Sequence, residues 1–262
     1  MRLAVLTLFP EYFDSFKSAS IIKKAIGNTV DLDIYDIREN SNDPGKRVDD
    51  VPFGGGSGML LKCQPVVDTI NKVKKNNSKV IYLSPRGKTL TQSKVRELAK
   101  EEDLIFLCGH YEGIDERILD YVDEEISIGD YILTGGEVAT LVVLDSIIRL
   151  TEGTIREESH LDESFENGLL EYPQYTNPRV YEGKEVPSIL FSGNHEAIDK
   201  WRRKESLRIT RDRRKDLFDK VELSKNDKKL LLELDNNEIG KWEKDAIEKA
   251  KKFTDKQNKK GN

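Results

Sequence analysis

Tyr111-Glu112-Gly113-Ile114-Asp115-Glu116-Arg117 is followed, fourteen residues after its start, by Glu125-Ile126-Ser127-Ile128-Gly129-Asp130-Tyr131-Ile132-Leu133-Thr134-Gly135-Gly136-Glu137. Glycines and fixed charges sit here between short apolar runs. Glycine allows close approach and unusual dihedrals at a cost in chain entropy, so this density predicts backbone folded tightly around a ligand. Working outward, apolar and amphipathic segments alternate. Residues 2–9 read as a buried strand ended by Pro10, 11–26 as a helix and 30–36 as a strand. Residues 64–74 read as a helix, 80–83 as a strand, 91–100 as a helix and 104–108 as a strand. Then come a helix at 114–121, a short strand at 125–128 and a long helix at 136–150. Alternation of this kind predicts an α/β fold, a parallel sheet with helices on both faces. Ligands bind such sheets at the carboxyl ends of the strands, and both quoted blocks follow strands.

The chain has 262 residues, 37% hydrophobic and 35% charged, with a net charge of −5. That balance predicts a soluble globular protein and argues by itself against a nucleic-acid partner. Between Trp201 and Lys220, however, nine basic residues face four acidic ones. Charges separated by more than about 10 Å are screened, so a local basic surface can hold phosphates on an acidic protein. Cys63 and Cys108 lack any metal-ligand or redox spacing, which predicts free thiols and a reducing cytoplasm. No run approaches about 18 apolar residues, so no membrane span is expected. The start resembles a short signal sequence but meets Glu11 and Asp14 at once, as a first strand would.

The helix at 136–150 is apolar on more than one face: Val138, Leu141, Val142 and Ile148 on one side, Val143, Ile147 and Leu150 on another. It reads as a core helix or as a subunit interface. Residues 151–170 are polar and unperiodic, as an interdomain linker would be. Beyond them 171–248 form a helical region. Asn194 is placed to cap a helix at 195–208, and Ser224 with Asp227 to cap one at 225–234. Residues 249–262 are rich in lysine with little to bury and are expected to fray.

With Tyr82-Leu83-Ser84-Pro85 upstream, the quoted blocks resemble the cofactor loops of the bacterial tRNA (guanine-N1)-methyltransferases, the TrmD family of the SPOUT class. The segment from Val48 to Met59, with Asp49, Asp50, Pro52, Phe53 and the run Gly54-Gly55-Gly56-Ser57-Gly58, resembles the family's VDDxPYGGGPGM; Ser57 replaces its proline. Alone, this run lacks the Lys-Ser/Thr of a phosphate loop and the spacing of a dinucleotide turn, and reads better as a loop closing over substrate. The resemblance implies a deep trefoil knot at the C-terminal part of the sheet domain, a small all-helical C-terminal domain, and an obligate homodimer with shared active sites. It implies S-adenosylmethionine bound by Leu83, Ser84 and Pro85 of one loop and by Gly109, Tyr111, Glu112 and Gly113 of a second. A third loop contributes Ser127, Ile128, Gly129, Asp130, Tyr131, Ile132, Leu133, Gly135 and Gly136. Glu112 could serve the cofactor, a metal ion or the incoming base. A magnesium requirement is implied, with no site legible in the chain.

The linker segment Asp162-Glu163-Ser164-Phe165-Glu166-Asn167-Gly168-Leu169-Leu170 resembles the family's EDSFxxGLL block, with the acidic pair in reversed order. Register assigns the general base to Glu163, with Asp162 as the other candidate. Arg149, four residues before Gly153, matches an arginine that sits near guanine O6. The resemblance assigns Asp50, Gly55, Gly58, His110, Glu171, His195, Arg202, Arg203, Arg208 and Arg211 to the anticodon stem-loop of tRNA. The implied reaction methylates N1 of guanosine 37. Two other readings are an α/β nucleotide-sugar or nucleotidyl transferase and a non-catalytic RNA-binding module. The first lacks its phosphate loop or strand-borne DxD, and the second has no use for three glycine loops.

Overall fold

The computed structural model describes residues 1–154, 164, 165 and 168–258, the last seven as backbone alone. Two compact units are present, Met1–Glu157 and Glu158–Asn262, and their boundary falls within the stretch expected as a linker.

The first unit is a five-stranded sheet of β1 (Arg2–Thr7), β2 (Asp31–Asp36), β5 (Ser78–Thr89), β6 (Asp103–Leu107) and β7 (Glu124–Ser127). All neighbours are parallel, in the order β2-β1-β6-β5-β7. Two-residue strands β3 (Asp49–Asp50) and β4 (Leu60–Leu61) form a separate antiparallel ribbon. Alternation along each strand feeds two cores. Leu3, Val5, Ile81, Leu83, Leu104 and Phe106 point to one face, joined by α2 (Ser20–Ala25), α4 (Gln92–Leu98) and α5 (Gly136–Ile148). Ala4, Leu6, Val80, Tyr82, Ile105 and Leu107 point to the other, covered by Val66, Ile70 and Val73 of α3 (Cys63–Val73). Burying each such side chain contributes about 1.5–3 kcal/mol, so both layers are held by apolar burial. Continuous apolar runs are what a sheet buried on both faces requires.

Several expectations need correction. The helix expected at 11–26 is broken into a 3-10 turn at Pro10–Phe13, α1 (Asp14–Ser18) and α2. Ala19 is extended, Ser20 has a positive φ, and Ser18 Oγ donates back to the Ser15 carbonyl, a local bond that competes with helix propagation. The helix expected at 114–121 is a 3-10 helix, Glu116–Tyr121, capped by Asp115. The strand expected at 80–83 runs on to Thr89 after a bulge. On α5, Val143, Leu144, Ile147 and Ile148 are buried, while Val138 and Val142 are about two-fifths exposed, so Ile148 does not share their face.

In the second unit, β8 (Val180–Tyr181) and β9 (Lys184–Glu185) make a hairpin. Helices follow: α6 (His195–Arg213), α7 (Lys215–Phe218), α8 (Lys225–Asp235) and α9 (Lys241–Asn258). Asn194 caps α6 by accepting from the Ala197 N–H, and Ser224 and Asp227 form a reciprocal capping box on α8. Leu169, Leu207 and Leu230 form one small core; Ile189, Ala197, Trp201 and Ala246 form another. Among the described residues α9 runs from Lys241 to Asn258.

Candidate active site

Three turns leave the carboxyl ends of β6, β5 and β7, which are neighbours in the sheet. The first is a bulge. Leu83 and Lys88 both pair with Ile126, so Ser84, Pro85, Arg86 and Gly87 loop out of the ladder. Proline cannot donate to a sheet, and a bulge is where it is tolerated. Ser84 Oγ steadies the bulge by accepting from the Arg86 N–H at 3.1 Å. The Arg86 guanidinium spans Glu116 at 3.2 Å and Glu125 at 3.6 Å, tying it to the 3-10 helix and to β7.

The second turn follows β6. Cys108 still bonds to the Leu6 carbonyl, after which the chain reverses through residues 109–113. Tyr111 takes a φ of 60°, uncommon for a residue with a side chain and typical of strained functional turns. The Glu112 carboxylate is engaged: its Oε2 accepts from the Met59 N–H at 2.9 Å, and its own N–H bonds to the Met59 carbonyl. A Cβ on Gly58 would lie 1.8 Å from the Glu112 carboxyl carbon, so only glycine admits this contact. The glycine loop at 54–58 is thereby pinned to the second turn.

The third turn runs from β7 into α5. Ser127 Oγ and the Gly129 backbone close its start, and the Gly136 N–H donates to the Gly109 carbonyl at 2.7 Å, locking it to the second. A Cβ on Gly136 would meet the Gly109 nitrogen at 2.8 Å and the Cys108 Cα at 2.9 Å, both backbone atoms that cannot yield.

Between the turns lies a cavity of about 370 Å³. Leu83, Ser84 and Pro85 line it from the first turn, and Gly109, Tyr111, Glu112 and Gly113 from the second. Ser127, Ile128, Gly129, Tyr131, Ile132, Leu133, Gly135 and Gly136 line it from the third, whereas Asp130 does not. His110, read from the sequence as a tRNA contact, lines it too. Its ring tilts against Phe9 at 4.7 Å, and its Nδ1 is buried with no partner among the described residues. Tyr82, Ile126, Thr134 and Ala139 complete the wall, and sequence reading missed them as site residues. Burial raises the Tyr82 hydroxyl above its usual pKa, with Glu125 adding to the effect.

Beneath the cavity, Glu137 is 2% exposed, and its Oε1 accepts from Thr7 Oγ1 at 2.8 Å. Thr7 Oγ1 in turn accepts from the Phe9 N–H. A Cβ on Gly135 would touch both Glu137 Oε2 and His110 Nδ1, so carboxylate and imidazole flank one point of the wall. Burial first, then Glu137, drives the nearby Cys108 thiol far above its usual range. The signal for Glu137 was an acid among apolar residues in a first helical turn.

The remaining assigned residues are not among those that line the cavity. Glu163 and Asp162 fall outside the described residues. Arg149 is the C-cap of α5, its N–H bonded to the Asp145 carbonyl. Asp50 is in β3, and Gly55 has a positive φ in the loop beyond it. In the second unit, Glu171 accepts from the Gln174 side chain and His195 opens α6. The arginines are paired: Arg202 with Asp199, Arg203 with Asp227, Arg208 with Glu205 and Arg211 with Asp235. No group of three His, Cys, Asp or Glu residues is placed to hold a metal ion among the described residues. Nor is any described helix long and apolar enough to cross a membrane.

Residues 1–220 match the family described as tRNA (Guanine-1)-methyltransferase TrmD. The chain is 56% identical over 233 residues to a Clostridium botulinum (strain Eklund 17B / Type B) protein named tRNA (guanine-N(1)-)-methyltransferase, covering 88% of this chain and 98% of that one. A protein of the same name from C. botulinum (strain Kyoto / Type A2) is 57% identical over 234 residues, 88% and 97% of the two chains. One from C. acetobutylicum is 52% identical over 233 residues, 88% and 96%.

Proposed function

We propose, from the premise that this chain belongs to the TrmD family of tRNA (guanine-1)-methyltransferases, that it methylates N1 of guanosine in tRNA with S-adenosylmethionine as donor. The target is guanosine 37, beside the anticodon. The observation that carries the reading is a cavity lined by turns from three adjacent parallel strands, on the sequence blocks that resemble the family's cofactor loops.

The residues present fit such a donor. Gly109, Gly129 and Gly135 put no side chain between main chain and cavity, so a purine and ribose can approach the backbone closely. Ile128, Ile132 and Leu133 offer apolar surface, and the unpartnered His110 Nδ1 gives a ligand a polar atom to meet. When bound, S-adenosylmethionine supplies an electrophilic methyl group on a sulfonium. We read the three turns as parts of a trefoil knot, and two copies of the chain as jointly completing each site.

N1 of guanine carries a proton and is a poor nucleophile while neutral. Glu163 takes that proton, with Asp162 as the other carboxylate within reach of the role, and Arg149 offsets the negative charge on O6. Holding base and donor aligned supplies most of the remaining acceleration. The base must leave the anticodon stack to enter a cavity of this kind. Arg202, Arg208 and Arg211 hold phosphates of the stem by exchanging their carboxylate partners for RNA, in a cytoplasmic setting. Arg203 is the weakest of this group, because its partner is the buried capping residue of α8. No step is assigned to magnesium.

The test is incubation of the pure protein with labelled donor and a tRNA transcript, followed by mapping of the modified nucleoside. N1-methylguanosine at position 37 is expected, with Glu163→Gln retaining donor binding and losing at least a hundredfold in turnover. Unchanged turnover in that variant passes the base role to Asp162, and methylation elsewhere overturns the assignment.

A further inference from the structure

We infer that Phe53 is a substrate contact: its ring stacks on an anticodon-loop base beside the guanosine that enters the cavity. The inference rests on the tRNA reading above and assigns a residue within it. Phe53 is fully exposed, the most exposed large apolar side chain among the described residues, and nearby Val51 is about two-thirds exposed. Their loop is rooted on the cavity wall. Asp49 and Asp50 pair with Leu61 and Leu60 in the β3–β4 ribbon. The Leu61 N–H donates to the Gly113 carbonyl at 3.0 Å, and the Asp115 N–H to the Leu61 carbonyl at 2.9 Å, so the ribbon is bonded to the second turn. Glu112 of that turn holds Met59 through both its N–H and its carbonyl. Residues 51–58 therefore arch out from Glu112 and Gly113, which line the cavity.

The tip of the arch is a turn. The Gly55 N–H donates to the Pro52 carbonyl at 3.3 Å, which puts Phe53 and Gly54 at its two central positions. Gly54 takes a φ of 87°, and a Cβ there would meet nothing within 4 Å. Glycine is required here by the backbone and not by packing, and the turn holds the ring out in water. From Asp49 to Met59 the chain carries two carboxylates and no lysine or arginine. Such a loop repels phosphate, so what it offers a polyanion is the flat uncharged ring. Every base has a π-face that stacks on an aromatic side chain, and in RNA this contact falls on unpaired loops. The target guanosine leaves its stack to reach the cavity, which strips a face from the base it was stacked on. An aromatic ring rooted at the cavity wall supplies a replacement for that face.

The experiment measures binding of a tRNA transcript to the full chain and to Phe53→Ala, Phe53→Leu, Phe53→Tyr and Phe53→Trp over a range of salt. Phe53→Ala should bind about tenfold more weakly. Its log Kd against log salt slope should match the native one, because no phosphate contact is lost. Tyr and Trp should restore binding and Leu should not. A transcript made abasic beside guanosine 37 should bind the native chain more weakly, with no further loss in Phe53→Ala. The Kd for S-adenosylmethionine and the mass of the assembly should not change. Native-level binding by Phe53→Ala or Phe53→Leu would overturn the stacking contact. Weaker donor binding or an altered mass would overturn it too, by giving the ring to the donor or to a second copy of the chain. Binding is read without turnover, so the two readings fail separately. Native-like binding by Phe53→Ala together with methylation at guanosine 37 sinks the contact alone, whereas methylation elsewhere sinks the earlier assignment.

Discussion

Glu137 shows how one side chain connects sequence, core and site. The residue closes the glycine-rich block, enters the first turn of α5 and is buried under the cavity with Thr7 as its donor. An acid there also suits the positive end of the helix dipole. Removing it leaves Thr7 without its acceptor, a loss of about 1–3 kcal/mol. Glu137→Ala should therefore lower stability by that amount in denaturant titration and weaken donor binding, while Glu137→Gln, which can still accept from Thr7, should lose less. Equal losses in the two variants would show that the hydrogen bond to Thr7 is not what the carboxylate supplies. Reading the sequence for cofactor residues passed over Glu137, which is buried and does not line the cavity itself. Leu83, Gly109 and Ile128, named from the family resemblance, line the cavity, each in a turn that follows a strand. The pairing of Arg203 with Asp227 was not legible, since ion pairs between helices depend on tertiary placement.

At the scale of elements, that pair joins α6 to the start of α8. Arg203 Nε and Nη2 reach both carboxylate oxygens of Asp227, at 2.8 and 3.1 Å, and Asp227 also closes the capping box with Ser224. The Arg203 guanidinium, then Ser224, holds the Asp227 carboxyl at about 2. A depressed carboxylate stabilises the fold fully above its unfolded pKa of about 3.9. That contribution is lost as pH falls from about 4 toward 2. Both tryptophans, Trp201 and Trp242, lie in this unit, so their fluorescence reports on it alone. Urea midpoints followed this way should fall between pH 4 and 2 in the native chain and fall less in Asp227→Asn; parallel curves would contradict the coupling. The capping box itself was legible as a Ser-x-x-Asp pattern before an apolar stripe. The break at Ala19–Ser20 was not, because the periodicity of residues 11–26 continues across it and only a local serine bond interrupts the helix.

For the molecule as a whole, strand alternation gave the parallel sheet and its two cores, and the glycine blocks marked where the strands end in a cavity. What periodicity could not reveal is strand order. That order sets β6, β5 and β7 side by side and brings turns from residues 83, 109 and 127 together across forty positions of sequence. Nor did it reveal that Trp242 and Ala246 of α9 pack with Ile189, Ala197 and Trp201 in one small core. The most direct check is a crystal structure of the protein with S-adenosylmethionine. Donor density bounded by Leu83, Gly109 and Leu133, with a polar donor atom at His110 Nδ1, is the predicted result. Donor bound at any other surface, with the three turns open to solvent, would contradict it.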